Sequence, residues 1–498
     1  MNKNILFTSF VVIISIFASL ALLILTPYGL AMSPDSVAYM KGARGIYNGE
    51  GLSLLQLLWP PLYPYAIALF GVFTNGDLYL SARLYNSVIY GINIYLTYLI
   101  INRSHINKFI SLIISIFIYT NSALVQIHFY AWSEAGFILL LLINLLVLQN
   151  IIKNKSYSIN TINIVLLSIT TAASILMRHA GLSFLLANVL ILLFISNNSL
   201  IKRIKITSSH LIITLLILVP WFIYYFTSEK QPRAFAFHPP NLNKIYIGLE
   251  SIGDWYYSLS NLMIIKIIIG IVVCLLSIYP IFKYLYNKNS KYDYYQLCLS
   301  IYFITYIIFI IFALTIVDNA APLDSRILSI LFILFTIGIS IYLFENKIKF
   351  ITSVVILLLL FISADSAPKL HSWLLLNYYQ GFELSSIHYK KNLQVLEYIK
   401  KCDVNSIVRS DTPWNFDLLF SKKVDLLPLQ SDMFSGIINT DYSKRMNKLS
   451  SYVDLIIITD LKSHYIHEID QLQKYTRIYE NNDAIVWVNT NNQVCKTN

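Results

Sequence analysis

Charge is what this sequence has least of. Asp, Glu, Lys and Arg make up 13% of its 498 residues, about half the share of a soluble domain, which excludes a water-soluble fold. Acid is the scarcer sign, with 26 Asp and Glu against 37 Lys and Arg and a formal net charge of +11. Acidic residues are nearly missing from the apolar runs. An ion-coupled transporter needs ionisable groups near the membrane midplane, so that class loses ground. The surplus cations sit mostly in short loops between apolar runs, where they set topology, and no nucleic-acid partner is expected. The four cysteines bound little. Cys274 and Cys298 fall in or beside apolar runs. Cys402 and Cys495 share the polar C-terminal region, where a disulfide is open if that region lies outside the cytoplasm. No His-x-x-x-His or Cys-x-x-Cys spacing occurs. A metal site would need folding to gather some of His128, His179, His238, Glu134 and Asp35, and a divalent metal is left open as a cofactor. There is no Gly-rich loop after a predicted strand and no nucleophile elbow, which argues against a nucleotide site and Ser-His-Asp chemistry.

What the sequence has instead is apolar length. Hydrophobic residues reach 56%, and the apolar runs fall at roughly 5–27, 80–101, 109–126, 134–151, 161–177, 180–196, 207–226, 259–282, 295–316, 327–344 and 350–364. About 20 such residues cross a bilayer core, so about eleven transmembrane helices are expected. The 36 Tyr and 28 Phe suit two membrane interfaces. The first run is too long for a signal-peptide core and reads as an uncleaved span. Alternate loops are short and basic: Arg103/Lys108, Lys153/Lys155, Lys202/Arg203/Lys205, Lys283/Lys288/Lys291 and Lys347/Lys349. The positive-inside rule makes them cytoplasmic, with the N-terminus inside and everything after the last span outside. The first outer loop, 28–79, holds Leu62 to Phe73, too short to span. It follows Trp59-Pro-Pro-Leu-Tyr-Pro64, whose prolines set an entry turn to an interfacial helix.

The ionisable residues gather at the outer ends of the runs: Asp35, Lys41, Arg44, Glu134, Arg178, His179, Asp318, Asp324 and Arg326. Lys266, inside a run, is expected to snorkel outward. Each has a plain structural role beside a chemical one. Asp35, in Ser33-Pro-Asp-Ser36, either caps an interfacial helix or serves as a carboxylate facing a lipid-borne substrate. Glu134 either complements a helix N-terminus or lines a site. Arg178 sits in an interfacial turn, Met177-Arg-His-Ala-Gly181. Positive charge is disfavoured for topology on this side, which points Arg326 towards phosphate.

From residue 366 the composition becomes that of a soluble domain. Leu393, Leu396 and Ile399 follow helical spacing, and Asp411-Thr-Pro-Trp414 starts a helix. Ser406 to Arg409 and Leu455 to Ile458 read as buried strands, and Tyr475–Glu480 with Ala484–Val488 as a hairpin. Two parts result: a membrane part over 1–365 and a small α/β domain over 366–498.

Asp35-Ser-Val-Ala-Tyr39 with Ala43-Arg44 and Gly49-Glu-Gly51, then Pro60-Pro-Leu-Tyr-Pro64, Ser133-Glu134, Arg178 with Gly181, and Asp324-Ser-Arg326 together resemble the GT-C glycosyltransferases. The likeness is greatest to protein O-mannosyltransferases and the lipid A aminoarabinose transferase. The motifs are spread over about residues 30–330. Two positions depart from the pattern: Ser36 replaces the second acid of an Asp-Glu pair, and Ile327 replaces an aromatic.

The resemblance implies a polytopic helical bundle with first-loop juxtamembrane helices and an external C-terminal domain, in a bacterial inner membrane. It implies inverting transfer of a sugar from a polyprenyl-phosphate donor to a hydroxyl of a glycan, lipid or protein. Asp35 would be the base and Arg326 the phosphate ligand, with Arg178 or Lys41 nearby; Arg44, Glu134, Tyr39 and Asp324 would complete the site. A lipid-linked-sugar flippase and a non-catalytic partner in envelope-glycan assembly are the alternatives. The topology is testable: reporters active outside the cytoplasm are expected to report export when fused after residue 370 and to stay silent within 283–291. The reverse pattern overturns the placement.

Overall fold

The computed structural model of the chain describes residues 3–490 apart from 53–58, 154–159, 195–198, 229–235, 240, 259–261, 287–293, 346–348, 386–394, 396–398, 400–406, 414–415, 417–423, 432–437, 473 and 482–483. Cys402 and Cys495, Leu393 and Leu396, Trp414, and the loop lysines 155, 288, 291 and 347 lie outside the described residues.

The helical part runs α1 (Lys3–Leu25), α2 (Pro34–Tyr47), α3 (Leu62–Gly71), α4 (Leu78–Arg103), α5 (Lys108–Thr120), α6 (Ser122–Phe129), α7 (Glu134–Lys153), α8 (Thr161–Met177), α9 (Leu182–Phe194), α10 (Leu200–Thr227), α11 (Leu242–Asp254), α12 (Met263–Tyr286), α13 (Tyr294–Phe312), α14 (Ser325–Glu345) and α15 (Lys349–Gln380). Among the described residues α1, α4, α7, α10, α12, α13 with its continuation to Val317, and α14 are each long and apolar enough to cross a bilayer. The chain is an integral membrane protein. The expected run at 109–126 is two helices, α5 and α6, bent by 65°. Asn121 makes that bend by capping α6, its side chain accepting from the Ala123 N–H at 3.1 Å. The runs at 161–177 and 180–196 are the shorter apolar helices α8 and α9. The last run lengthens into α15, which continues past residue 366, where the composition changes, to Gln380.

Hydrogen bonds between buried polar side chains tie the bundle together, as apolar surroundings favour. Asn188 donates to Thr171 Oγ1 at 2.8 Å and to Asn144 Oδ1 at 3.2 Å, and accepts from the Tyr302 hydroxyl at 2.6 Å. That joins α7, α8, α9 and α13. Lys266, expected to snorkel outward, meets a carboxylate near the start of α12. Its ammonium is 2.7 Å from Asp254 Oδ1 at the end of α11, and a paired carboxylate compensates a charge that burial would otherwise penalise. Arg103 reaches Asn150 Oδ1 and Arg203 the Leu193 carbonyl, so these basic turns lie at the bundle end where α4 and α7 finish.

After α15 a five-stranded sheet forms in the order β2-β1-β3-β5-β4, from β1 (Val408–Ser410), β2 (Val424–Leu426), β3 (Leu455–Ile458), β4 (Tyr475–Glu480) and β5 (Ile485–Asn489). β1 pairs parallel with β2 and β3, and β5 pairs antiparallel with β3 and β4. The helices α16 (Tyr442–Lys448) and α17 (Tyr465–Asp470) help bury Trp487 and Ile456. β3 keeps its expected bounds, and the hairpin is present. The short strand β2 was not expected, because three residues carry no readable alternation. Asp411 stands two residues before helical Pro413, where a helix start was expected, and its carboxylate also accepts from the Thr459 and Asp460 N–H groups, closing the gap beyond β1 and β3.

Candidate active site

Four helix ends meet at the opposite end of the bundle from Arg103. The first is α2. Ser33 is its N-cap: the Ser33 hydroxyl accepts from the Ser36 N–H and the Ser36 hydroxyl accepts from the Ser33 N–H, with Pro34 in the first turn. This reciprocal cap satisfies the free amides of the helix end without Asp35. Asp35 Oδ2 instead accepts from Arg326 Nη2 at 2.6 Å, while Oδ1 bonds none of the described residues.

Arg326 is the second residue of α14. Asp324 accepts from the Arg326 and Ile327 N–H groups, both at 3.1 Å, so it starts the helix and fixes where the arginine leaves it. A cation at a helix N-terminus opposes the helix dipole, and the site compensates with two carboxylates. Arg326 Nε donates to Glu134 Oε1, and Arg178 Nη1 lies 2.6 Å from Glu134 Oε2. Asp35, Arg326, Glu134 and Arg178 thus form a chain of alternating charge, net zero. The Glu134 side chain is 4% exposed and that of Asp35 27%.

The surroundings hold this chain in register. The Arg326 guanidinium lies 4.1 Å over the Trp132 ring, and Trp132 Nε1 donates to Ser33 Oγ at 2.7 Å. Arg178 also donates to Ser133 Oγ, which bonds the Tyr39 hydroxyl at 2.9 Å. Burial pushes the Tyr39 phenol up to about 12, against the pull of Arg178, so it stays a neutral hydroxyl at physiological pH. Burial works most strongly against the Arg178 charge, and Glu134 with smaller help from Tyr39 and Tyr306 together outweighs it, so its pKa is raised. Two glycines allow the approach. A Cβ on Gly136 would come within 2.4 Å of the Tyr85 hydroxyl, and one on Gly181 within 2.4 Å of the Ser174 backbone. Gly181 therefore lets the turn after α8 fold back and carry Arg178 to Glu134.

Of the expected site residues, the structure brings together Asp35, Glu134, Arg178, Arg326 and, through Ser133, Tyr39; Asp324 caps α14 beside them. Lys41 and Arg44 follow Asp35 by six and nine residues, about 240° and 180° around α2, and leave the face that carries Asp35 and Tyr39. Arg44 hydrogen-bonds Tyr79. Two neighbours were not foreseen. Tyr130 stacks on Trp132 at 3.9 Å, and its hydroxyl donates to Glu383 Oε1 at 2.9 Å. Glu383 is remote in sequence, and no local pattern marks it.

Solved structures share this architecture. ArnT from Cupriavidus metallidurans bound to undecaprenyl phosphate superposes with a TM-score of 0.59 at 12% identity, over 97% of each chain. The Archaeoglobus fulgidus oligosaccharyltransferase in complex with Zn and sulfate gives 0.56 at 11% identity, over 96% of this chain and 73% of that one. The same organism's oligosaccharyltransferase AglB, in complex with an inhibitory peptide and a dolichol-phosphate, gives 0.54 at 11%, over 98% and 75%. No family model and no curated protein matches the sequence. The chain has the GT-C fold that its motifs resemble.

The described residues do not gather a divalent-cation site. A guanidinium already lies between the two carboxylates, and no group of three or more His, Cys, Asp or Glu side chains converges among the described residues. His128, a ligand candidate from sequence, has one ring nitrogen 2.7 Å from the Leu124 carbonyl and the other 3.1 Å from Asn93 Nδ2.

Removing the Glu134 charge would leave Arg178 without a carboxylate and Arg326 with Asp35 alone. Breaking a buried pair in this way costs about 3–5 kcal/mol, so Glu134→Gln is expected to lower the melting temperature of the detergent-purified protein markedly. An unchanged melt would mean that the arginines are held by other partners.

Proposed function

We propose that the chain is an inverting glycosyltransferase that moves a sugar from a polyprenyl-phosphate donor to an acceptor hydroxyl, at the extracytoplasmic face of a bacterial inner membrane. The observation that carries this reading is the unequal state of the two carboxylates. Both Glu134 oxygens face an arginine, whereas Asp35 Oδ1 has no partner among the described residues, at the more open end of the chain. A retaining enzyme needs a second carboxylate as nucleophile, and Glu134 is not available for that. Single displacement with one base remains.

In that reaction the acceptor oxygen bonds the anomeric carbon while its proton passes to Asp35 Oδ1. The bond from that carbon to the phosphate oxygen breaks on the opposite face, and the polyprenyl phosphate leaves with the electron pair. The guanidinium N–H groups of Arg326 and Arg178 that Asp35, Glu134 and Ser133 do not engage stabilise the charge as it develops. Fixed donors in a site poor in water do this without reorganising. A lipid-borne donor reaches such a site from the bilayer, and the part from residue 366 onward lies outside with it. Neighbours of the same fold are bound to undecaprenyl phosphate and to a dolichol-phosphate, which supports a donor of that chemistry here.

Asp35→Asn is expected to lower transfer about 10²- to 10⁴-fold while the protein stays inserted and folded, because Ser33 makes the cap. Normal turnover in this variant would remove Asp35 as the base. The wild-type product, examined by NMR, should carry the anomeric configuration opposite to the donor, and retention would sink the single displacement. Comparing envelope glycans and polyprenyl-phosphate sugars by mass spectrometry with and without the gene identifies sugar and acceptor.

For Arg326 the expected order is Arg326→Ala severe and Arg326→Lys intermediate, since lysine keeps the charge and loses the two-pronged geometry. A charge-assisted hydrogen bond is worth roughly 1.5–3 kcal/mol, equivalent to about a 10- to 150-fold loss in turnover of lipid-linked donor. Normal donor turnover in Arg326→Ala, or simple failure to insert, would overturn the phosphate assignment.

A further inference from the structure

The short segment that follows α15 lies against the site. Gly381, in the left-handed region at φ 71°, ends α15, its N–H donating to the Asn377 carbonyl at 3.0 Å. Glu383, itself at φ 50°, then pairs in a parallel bridge with Met32, just before the α2 cap. Phe382 meets the Tyr130 ring edge-on at 6.0 Å and Trp373 of α15 at 5.8 Å. The Glu383 carboxylate takes the Tyr130 hydroxyl. A non-glycine residue in the left-handed region is uncommon and is kept where surrounding contacts hold it.

From Glu383 the contacts run inward in single file. Tyr130 stacks on Trp132 with ring centroids 3.9 Å apart and planes 17° apart, and the Arg326 guanidinium is 4.1 Å from the same indole. Trp132 therefore contacts both groups and links them. On the far side Arg326 bonds Asp35 and Glu134. The Glu383 bond fixes the Tyr130 hydroxyl and Phe382 meets its ring, so these two residues set the outer end of the stack.

We propose that Glu383 is a positioning residue that, through Tyr130 and Trp132, holds the Arg326 guanidinium at the angle needed to receive the leaving phosphate. This rests on the reading of the reaction given above. It also makes residues 381–385, just after α15, a wall of the active site. Arg326 would still pair with its carboxylates if the stack loosened, but its remaining N–H groups would swing. Small misplacements of a group that acts in the transition state cost up to about 10²-fold.

Tyr130→Phe removes one hydroxyl and leaves the stacking ring, and Glu383→Ala removes its acceptor. Glu383→Gln keeps an acceptor oxygen for the hydroxyl. Two measurements on the full-length protein in detergent decide the matter: binding of undecaprenyl phosphate against uncharged undecaprenol, and kcat and KM for a sugar linked to polyprenyl phosphate. Wild type is expected to prefer the phosphate. Tyr130→Phe and Glu383→Ala should lose about 10-fold of that preference and 10- to 100-fold in kcat, with KM for donor and binding of the alcohol little changed. Glu383→Gln should recover most of both. A local packing role would lower stability without altering the phosphate-to-alcohol ratio. An unaltered ratio and kcat in Tyr130→Phe and Glu383→Ala, with a normal wild type, would overturn the assignment of Glu383 alone. A wild type with no preference for the phosphate would overturn the reading of the reaction and this assignment with it.

Discussion

The placement of one guanidinium between two carboxylates is the constraint on which the site depends. An arginine at the end of an apolar bundle loses hydration, and at the N-terminus of α14 it also meets the positive end of the helix dipole. Asp35 and Glu134 make that position tenable, and they come from helices 291 and 192 residues away in sequence. The ends of α2, α7 and α14 must therefore meet at one place before any of the three charges is stable there. Arg178 closes the chain from α8. The polar ties deeper in the bundle, such as Asn188 with Thr171 and Tyr302, set the helices that bring those ends together.

Two carboxylates of the same chemistry acquire different work from their surroundings, as pairs in active sites do. Glu134, almost fully enclosed and faced by two arginines, serves as a fixed counter-charge. Asp35 sits at the rim, its Oδ1 without a partner among the described residues. The separation comes from the caps as much as from the charges. Because Ser33 and Ser36 satisfy the start of α2, Asp35 is released from the duty that its position in Ser33-Pro-Asp-Ser36 would suggest.

Much of this was legible in the chain itself, and what was not has a physical reason. The apolar runs locate the helices because bilayer thickness demands length and continuity, both of which are local properties. The bend at Asn121 was not visible in hydropathy, since a capping side chain interrupts the helix without interrupting the apolar run. Asp35, Glu134, Arg178 and Arg326 stood out as charges at the ends of such runs, yet their mutual pairing is a tertiary fact. Lys41 and Arg44 looked equivalent to them by composition, and helical phase sends them to another face. Lys266 looked like a cation in search of water because Asp254 belongs to a different helix. Glu383 carried no signal, for its role depends on a segment after α15 lying beside Met32.

The chain of four charges is electrically balanced, which bears on how the proposed donor would enter. An arriving phosphate brings at least one negative charge to a chain already neutral, so a guanidinium must be shared. Glu134 cannot give way, being enclosed and bound from both sides. The contact between Arg326 and Asp35 lies at the more exposed end of the chain, where water can take over the carboxylate with least loss of solvation. Under the proposed reaction, phosphate binding would draw Arg326 towards itself and loosen its hold on Asp35 as the acceptor approaches. The base would then become fully available only when the leaving group is in place.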